Sequence, residues 1–409
     1  MKIEINHLAK MEGHASFVGD IVNDNMAEAK MKTEEGARLF EGILVGRNYW
    51  EAPIIVQRIC GICPVVHGLS AIKAMEECFD VKVHKDIIVL RKVMELLQLI
   101  HSHTLHLFFL SLPDFLDFDD DIKMAGKYPK ESQLTLDVRK WSLEMLENIA
   151  GRVVHNLSIE VGGFKKWPDE VRMLEMLEML DEILEKSIKF AGLFAKLKYP
   201  DFKRETRFFC LMNKKEYAIY DGKVENKFFE NIKELEQPGE LVKRVLYMDE
   251  PFFCGALARV NNNYKLLNPQ AKKYWDSLDI KLPTYNLFNN IPAQATEVIH
   301  CIEEINKLLK PLLKKGIKKE NIKFKVKAGK AFGAVEAPRG TLYDFYNIDA
   351  KGKIKHCNII TPTAQFLANL EADLKVFLPT TLKLTKKQRQ KKILQLIRAY
   401  DPCISCATH

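Results

Sequence analysis

The spacing of apolar residues changes from a short period near the N-terminus to a helical period over most of the remaining chain. Residues 1–35 alternate between polar and apolar positions and contain glycine and Asn-Asp-Asn turn signals. Ile3–Ile5 and Ala15–Ile21 are therefore expected to be strands of a hairpin or small sheet. From about residue 51 onward, apolar residues recur at intervals of three and four, which indicates amphipathic helices.

The helical segments and the remaining β segments predict the fold class. Residues 200–260 have a shorter period and many aromatic residues, which favours a β-rich insertion. Strands are also expected at 321–327 and 354–360, on either side of 329–340. No repeat or low-complexity linker divides the chain, so we predict one mainly α domain over 1–409, a large helical bundle with small β-sheet additions. The expected helices are Gly68–Cys78, Asp86–Leu112, Ser132–Asn156, Pro168–Lys198, Ala293–Leu313, Pro362–Phe377 and Lys391–Ala399.

Composition and charge exclude several classes of protein. The 409 residues are 47% hydrophobic and 28% charged, an ordinary globular composition with enough length for a large core. The net charge is +8, and the densest basic run, Lys383–Lys392, has no interleaved aromatic residues and no accompanying nucleic-acid motif. We interpret it as a solvated helix face and expect no nucleic-acid partner.

The uncharged stretch Leu96–Pro113 raises the question of a membrane span. It contains Gln98, His101, His103 and His106, which are costly in lipid, so a buried helix is the better interpretation. The N-terminus carries no signal peptide, and the odd number of cysteines, nine, does not indicate a secreted disulfide framework. We expect a cytoplasmic protein. The isolated cysteines are interpreted as core residues: Cys78, Cys210, Cys254, Cys301 and Cys357.

Two C-x-x-C pairs at opposite ends of the chain are the strongest chemical signal. Cys60 and Cys63 lie near the start, and Cys403 and Cys406 lie near the end. The pairs are too far apart in sequence for a small local zinc loop, so the fold must bring them together if they share one metal. Soft thiolates suit zinc, nickel and low-spin iron, so a closed structural zinc site is an open alternative at this point.

The residues around both pairs resemble the large, catalytic subunit of [NiFe]-hydrogenases. The family patterns R-x-C-G-x-C-x-x-x-H and D-P-C-x-x-C-x-x-H match Arg58–His67 and Asp401–His409 at every fixed position. The resemblance covers nearly the whole chain and is weakest in 200–250. Further segments that match the family are Lys10–His14, Glu35–Glu41, Gly151–His155, Gly162-Gly163, Ala258–Asn262, Glu336–Gly340 and Thr361–Thr363.

The resemblance implies a nickel–iron centre whose iron carries CO and cyanide. All four cysteines would bind nickel: Cys63 and Cys406 would bridge to the iron, and Cys60 and Cys403 would be terminal ligands. A terminal thiolate keeps a free lone pair, so Cys403 could accept a proton. Glu12 would relay that proton, because a carboxyl group beside anionic sulfur should have a raised pKa.

Other matched residues are expected to surround the metals. By resemblance, the Arg339 guanidinium would lie over the open metal position, and the Pro338-Arg339 segment and Thr363 would hydrogen-bond the cyanide ligands. His67 would donate a hydrogen bond to a bridging sulfur, and Asp401 would pair with a nearby cation such as Arg339.

A second metal site is implied near the C-terminus. Glu41 and His409 resemble ligands of a magnesium ion in the family. The carboxylate suits this hard cation, whereas the histidine rests on the resemblance alone. Family precursors carry a C-terminal extension that is cut after this histidine, so the sequence is expected to be the mature form.

The resemblance implies reversible heterolytic cleavage of H₂ to protons and electrons. The chain has no further cysteine cluster for iron–sulfur ligation, so we expect an iron–sulfur small subunit with a large apolar interface, and further electron-transfer subunits. Ser102 replaces the aspartate that many membrane-bound members have, which favours the cytoplasmic, bidirectional group. The alternatives are a hydrogen-sensing or non-catalytic relative, or a scaffold with structural zinc.

Overall fold

A computed structural model describes residues 1–23, 26–36, 38–225, 228–237 and 240–408. Helices dominate the architecture, as expected. The helices are α1 Phe40–Leu44, α2 Ala52–Val56, α3 Pro64–Phe79, α4 Lys85–Leu105, α5 Leu112–Phe115, α6 Asp121–Lys127, α7 Pro129–Ala150, α8 Glu170–Glu178, α9 Leu180–Ala195, α10 Phe228–Asn231, α11 Ala256–Asn263, α12 Pro269–Asp276, α13 Asn290–Lys315, α14 Pro362–Phe377, α15 Lys386–Tyr400 and α16 Ile404–Ala407.

Small antiparallel sheets flank the helices. The N-terminal sheet has the order β1-β2-β3, and a second three-stranded sheet has the order β10-β11-β12. Three two-stranded pairs complete the set: β4 with β5, β7 with β8, and β6 with β9, the last pair being parallel. The strands are β1 Lys2–Ile5, β2 Ala15–Asn23, β3 Met26–Thr33, β4 Ile159–Glu160, β5 Gly163–Phe164, β6 Arg207–Phe208, β7 Ile232–Leu235, β8 Arg244–Tyr247, β9 Phe252–Phe253, β10 Gly329–Ala337, β11 Gly340–Ile348 and β12 Ile354–Ile360.

Local signals determine where several helices begin and end. Pro64 occupies the first turn of α3, and Asp80 ends that helix in the left-handed conformation. Thr385 caps α15 and forms a capping box with Gln388. The predictions of β12 and α14 are confirmed with their bounds. The basic run forms the first turns of α15, and its lysines lie mostly at the surface.

Several predicted bounds are wrong for identifiable reasons. The helix expected to reach residue 156 ends at Ala150, because Gly151 follows in the left-handed conformation, with φ 73°. The helix expected over 168–198 is two helices, α8 and α9, separated at Met179. The long helix expected to reach Leu112 becomes a π-helical turn at His106–Ser111.

Two β predictions also need correction. Residues 321–327 form no strand, and 329–337 is itself strand β10. The segment 200–260 contains only short strands together with α10 and the start of α11, so its described part is less β-rich than predicted. Its aromatic residues pack into the core, as Phe209 does against Tyr247 and Phe252.

The core is built around α4. This helix packs against α7 on one side and α13 on the other, and α13 in turn packs against α9 and α12. The buried apolar side chains form one connected cluster, which includes all nine cysteines. The five isolated cysteines are therefore core residues, as predicted. None of the described helices is long and apolar enough to cross a membrane. A single domain over 1–409 stays a prediction.

Candidate metal centre

The fold brings the two cysteine pairs together. Cys60 follows a short 3₁₀ turn in an extended conformation, Cys63 immediately precedes α3, and Cys403 immediately precedes α16. The Sγ atoms of Cys60 and Cys403 lie 3.5 Å apart although 343 positions separate them in sequence. The ligand atoms of Cys60, Cys63 and Cys403 lie within 4.8 Å of one another. All four cysteines are buried.

His67 and Cys406 complete this cluster. Because His67 follows Cys63 by four residues, α3 places it one turn further along on the same face. Its Nε2 lies 3.2 Å from Cys406 Sγ, and the ligand atoms of Cys63, His67 and Cys406 also lie within 4.8 Å of one another. The imidazole is therefore placed for a hydrogen bond to the sulfur of Cys406, and its role beside a metal-bridging sulfur stays a prediction.

The described C-terminal residues are held by contacts with the N-terminal region. Ile404 N donates to Glu12 O at 3.0 Å, so the segments pair as in a parallel sheet. Arg38 donates to the carbonyls of Ile59 and Ser405, which ties the two cysteine loops together. Sequence reasoning assigned no role to Arg38, because its partners are 21 and 367 positions away.

Glu12 lies directly beside the thiolate cluster. The Cys403 thiol donates to Glu12 Oε2 at 3.0 Å, and Ser405 N donates to the same oxygen at 3.0 Å. Burial, together with the negative charge of Cys60, raises the pKa of Glu12 above its ordinary value, although these hydrogen bonds oppose the change. The Cys403 sulfur and the Glu12 carboxyl group are therefore joined by one hydrogen bond, along which a proton can transfer.

Arg339 projects from the tight turn between β10 and β11. Gly340 has φ 140°, and a Cβ there would lie 2.5 Å from Cys254 Sγ, so the turn requires glycine. Arg339 Nε donates to Asp401 O at 2.8 Å, and Nη2 donates to Asp401 Oδ1 at 2.9 Å. Arg339 Nη1 is buried and has no hydrogen-bond partner among the described residues.

The charge on Arg339 is secured by its surroundings. Burial alone would lower the pKa of Arg339, but Asp401 and the cysteine thiolates outweigh it and raise the pKa. The expected pairing of Asp401 with Arg339 is therefore present in the structure. It leaves a permanently charged group, with one unpaired N–H edge, next to the sulfur cluster.

Two residues that sequence reasoning did not assign position Asp401: Gln294 bonds to its carboxylate, and His106 bonds to Gln294. Gln294 Nε2 donates to Asp401 Oδ2 at 3.1 Å, and His106 Nε2 lies 3.6 Å from Asp401 Oδ1. Gln294 Oε1 and His106 Nδ1 are 2.7 Å apart. Burial lowers the pKa of His106, so the ring is neutral near pH 7. This clamp fixes the carboxylate that orients Arg339.

A buried network of ion pairs around Arg259 supports the turn that carries Arg339. Arg259 donates to both oxygens of Glu297, at 2.6 and 2.7 Å, and to Glu336 Oε2 at 2.8 Å. It also donates to the carbonyls of Ala337 and Pro338, at 2.9 and 3.0 Å. The motifs around residues 259 and 336 were recognised in the sequence, but their mutual contact was not. The Pro338 carbonyl is thus held directly before Arg339 in the chain.

Thr363 and Glu41 occupy different surroundings. Thr363 Oγ1 accepts from Cys403 N at 3.0 Å, which places the hydroxyl beside the cysteine pair. Glu41 lies in α1, next to β12, where its Oε1 accepts from Ile359 N at 2.8 Å. His409, the other predicted magnesium ligand, lies outside the described residues.

The donor set fits a nickel–iron centre. Four buried thiols converge, the lowered pKa of Cys60 reflects hydrogen bonds from Cys403 and Cys406, and Arg339, which interacts with the thiolates, has an unpaired donor at Nη1. Sulfur ligands suit nickel and low-spin iron, and the Cys₄ set resembles no small structural zinc module because each pair comes from a different end of the chain. Fold and site define a thiolate-ligated metalloenzyme subunit.

Comparisons with known proteins agree with this class. The nickel-dependent hydrogenase family model matches residues 38–163 and 203–409. Sulfhydrogenase 2 subunit alpha of Pyrococcus furiosus is 30% identical over 100% of this chain and 99% of that protein. The NAD-reducing hydrogenase HoxS subunit beta of Cupriavidus necator is 27% identical over 100% of this chain and 94% of that protein. An NAD⁺-reducing [NiFe]-hydrogenase in the H₂-reduced state superposes with a TM-score of 0.90 at 27% identity, covering 100% of this chain and 99% of that one.

The chain belongs to the nickel-dependent hydrogenase family. The prediction of a [NiFe]-hydrogenase large subunit, an oxidoreductase that acts on H₂, is confirmed, and so is the mainly α fold. A zinc scaffold is not supported. The family implies a nickel–iron centre with cysteine ligands, and relatives named as subunits alpha, A and beta imply partner subunits.

Proposed function

We propose that the chain performs reversible heterolytic cleavage of H₂ at a centre held by Cys60, Cys63, Cys403 and Cys406. The contact that best supports this proposal is the 3.0 Å hydrogen bond between Cys403 Sγ and Glu12 Oε2 at the edge of the sulfur cluster. Nickel and iron, when bound, supply Lewis acidity and a place for the electrons of H₂. Cys63 and Cys406 would hold both metals, and Cys60 and Cys403 would hold nickel alone.

The chain itself moves the proton. Cys403 Sγ accepts the proton from the reacting position and passes it to Glu12 Oε2, which its raised pKa suits to this task. Ser405 N holds the acceptor oxygen in place at 3.0 Å. Beyond Ser405, its hydroxyl donates to Glu35 Oε1 at 3.3 Å, and Glu35 is only half-buried. The proton therefore leaves towards the surface on the Glu35 side.

Arg339 polarises the substrate, and its neighbours bind the ligands of iron. The free Nη1 donor supports a place for Arg339 over the open metal position, where a fixed cation needs no change of protonation. The Thr363 hydroxyl accepts from Cys403 N and keeps its own proton for a cyanide nitrogen. The iron would carry CO and cyanide, and the Pro338-Arg339 segment would offer hydrogen bonds to a second cyanide.

We assign a magnesium ion to Glu41 and His409. Support comes from the position of Glu41, which lies in α1 beside β12 and next to the fully buried Asp344. Burial raises the pKa of Asp344 first, and the negative charge of Glu41 raises it further, so two carboxyl groups are close enough to interact. A divalent cation would stabilise both carboxylates and would attach the C-terminus to α1.

The partner is an iron–sulfur small subunit, and the complex is cytoplasmic. Exposed apolar side chains lie in the segment before the Cys60 loop and in the segment after α7, and Gln57 joins the two by donating to the carbonyl of Asn156. Exposed apolar groups in neighbouring segments are typical of a protein interface. Further electron-transfer subunits receive the electrons. The exposed apolar residues of these two segments are Leu39, Ile43, Val45, Trp50, Val154 and Leu157.

Metal analysis of the purified complex tests the assignment. We expect about one nickel per chain, consistent with a single thiolate cluster, and infrared bands from CO and cyanide. Cys403→Ser should remove nickel and H₂ oxidation. Cys357→Ser, at a buried cysteine outside the cluster, should keep both. Zinc in place of nickel, or full H₂ oxidation by Cys403→Ser, would refute the proposal.

A further inference from the structure

A continuous polar stripe runs along α4 through the middle of the core. Its members follow one another at intervals of four, three, four and four residues, which keeps them on one face of the helix. All are buried, with exposed fractions between 0 and 2%. Polar side chains in such a place need a reason, because burying them without partners is costly. The residues of the stripe are Arg91, Glu95, Gln98, Ser102 and His106.

The two ends of the stripe are anchored to known features. At one end, His106 bonds to Gln294, which donates to the Asp401 carboxylate that orients Arg339. At the other end, Arg91 donates to both oxygens of Glu76, at 2.8 Å each, and to the hydroxyl of Tyr220 at 3.2 Å. The stripe therefore leads from the metal centre to a distant part of the molecule.

The middle of the stripe carries several polar atoms without hydrogen-bond partners among the residues that the structure describes. These atoms are both carboxyl oxygens of Glu95, Nε2 of Gln98 and Oγ of Ser102. Gln98 Oε1 accepts from Val65 N at 2.7 Å, and Val65 follows Cys63 by two positions. The stripe thus passes beneath the first cysteine pair. Glu95 and His106 are separated along the helix by roughly 16 Å, from 11 residues at 1.5 Å each.

Glu95 is the unusual member of the stripe. A fully buried carboxylate without a hydrogen bond is strongly disfavoured, so the group is hydrated, protonated or both. Burial raises the pKa of Glu95 well above its ordinary value, against the attraction of Lys73. The other charged groups that face it are Asp221, Glu336 and Lys92. Lys73 donates to the carbonyls of Tyr220 and Ala334, so it lies near the carboxyl group without a direct ion pair.

A small cavity lies on the adjoining face of α4, between Lys92 and Leu96. Its volume is about 20 Å³, enough for one water molecule, and Glu216 and Tyr220 are also among its lining residues. Lys92 binds Glu216 at 2.8 Å and the half-buried Asp221 at 2.8 Å. Glu95 does not line the cavity, but it precedes Leu96 directly in sequence, so the cavity with its acceptor Glu216 lies next to that end of the stripe.

We propose that the polar face of α4 holds a file of ordered water molecules, with Glu95 as its protonatable carboxyl group, that carries protons between the Arg339 side of the metal centre and the cavity at Lys92 and Glu216. Water in this file would satisfy the unpaired atoms of Glu95, Gln98 and Ser102. In each hop one O–H bond breaks as the next one forms, and no electron moves. The inference rests on the proposed function for its role in turnover.

The file is a route separate from Glu12. Heterolytic cleavage releases its first proton at Cys403, next to Glu12, whereas complete oxidation of H₂ releases two protons. The Glu12 route leads towards Glu35, and the α4 route leads towards Lys92. Isotope exchange needs only the first proton transfer, while net oxidation needs both.

Infrared spectroscopy of the carboxyl region tests the file without reference to catalysis. We expect the difference spectrum between the wild-type protein and Glu95→Gln to contain a band from a protonated carboxyl group, because other buried acids such as Glu12 and Asp344 contribute to both spectra. The difference spectrum between the wild type and Glu77→Gln, an exposed control on α3, should lack this band. In D₂O the band should shift much sooner than the backbone amides of α4 exchange. A Glu95→Gln difference spectrum without this band, or a shift only as slow as those amides, would overturn the proposal. This result is independent of whether the enzyme oxidises H₂.

H₂ oxidation by the assembled complex tests the role of Glu95 in proton transfer. Glu95→Gln should lower the rate of H₂ oxidation by roughly tenfold, which is no larger than the usual contribution of a proton-transfer group. The rate of H/D exchange should stay unchanged. Glu95→Asp should restore part of the rate, and Ser102→Val, which removes the hydroxyl, should slow oxidation and keep the carboxyl band. Oxidation by Glu95→Gln at the rate of Glu77→Gln would refute the role. A wild-type complex that does not oxidise H₂ would instead refute the proposed function.

Discussion

Replacing Arg259 by leucine should destabilise the protein more than any single surface change. Arg259 is fully buried and is the shared partner of Glu297 and Glu336, so Arg259→Leu leaves two buried carboxyl groups without their cation. Breaking a buried ion pair on one side costs about 3–5 kcal/mol. It also removes the donors that hold the carbonyls of Ala337 and Pro338, directly before Arg339. We expect loss of stability together with loss of H₂ oxidation.

The assay is urea unfolding of the complex, followed by tryptophan fluorescence, with the free energy of unfolding compared between variants. The control is Arg47→Leu, because Arg47 is 54% exposed and forms a surface pair with Glu51 at 3.6 Å. Such a pair contributes about 0–1 kcal/mol. If Arg259→Leu destabilised the protein no more than Arg47→Leu, the argument that Arg259 neutralises buried carboxylates would be refuted.

The pH dependence of the same variant gives an independent check. Burial alone would raise the pKa of Glu297, but Arg259 and His103 outweigh it, so the pKa lies below its ordinary value. In the wild type, this contribution to stability is present above the unfolded-state pKa and is lost as pH falls towards the lower folded-state pKa. In Arg259→Leu the folded-state pKa should rise above the unfolded one. The destabilisation should therefore be largest at neutral pH and shrink in acid.

Three further predictions concern the metal sites. Glu12→Gln should lower H/D exchange by at least about a hundredfold, since it removes a proton-transfer group; unchanged exchange would exclude the relay. Gln294→Leu removes one donor from Asp401, so the infrared bands of CO and cyanide should shift and turnover should fall while nickel content is unchanged; identical bands would show that the clamp does not orient Arg339. Glu41→Gln should lower the magnesium content of the complex, and full magnesium occupancy would place that ion elsewhere.

The sequence was most informative where local chemistry determines the outcome. Pro362 at the first turn of α14 and the uninterrupted apolar pattern after it predicted that helix with its bounds. The two C-x-x-C pairs predicted a thiolate metal centre, because the donor atoms alone restrict the metals. The contact between Cys60 and Cys403 followed from the matched motifs, and the structure places their sulfur atoms 3.5 Å apart.

Errors occurred where a competing local preference overrode periodicity. The apolar pattern continued past Ala150, but Gly151 takes the left-handed conformation and ends α7. Residues 321–327 alternate like a strand, but the structure forms no ladder there, and the side chain of Asn321 instead bonds to Phe164 N and O. Strands need a neighbour with free backbone groups, and the sequence alone does not name one.

By itself the sequence determined the chemistry of the site: the sulfur donors, the arginine and glutamate beside them, and the helical scaffold. Only the tertiary structure decided which residues hold these groups in position. Gln294 and His106 on Asp401, and Arg259 between Glu297 and Glu336, carry no local sequence signal. Residue type sets what an atom can bind, and it is encoded position by position. The distance between atoms on different helices depends on the packing of the whole core, which no short segment specifies.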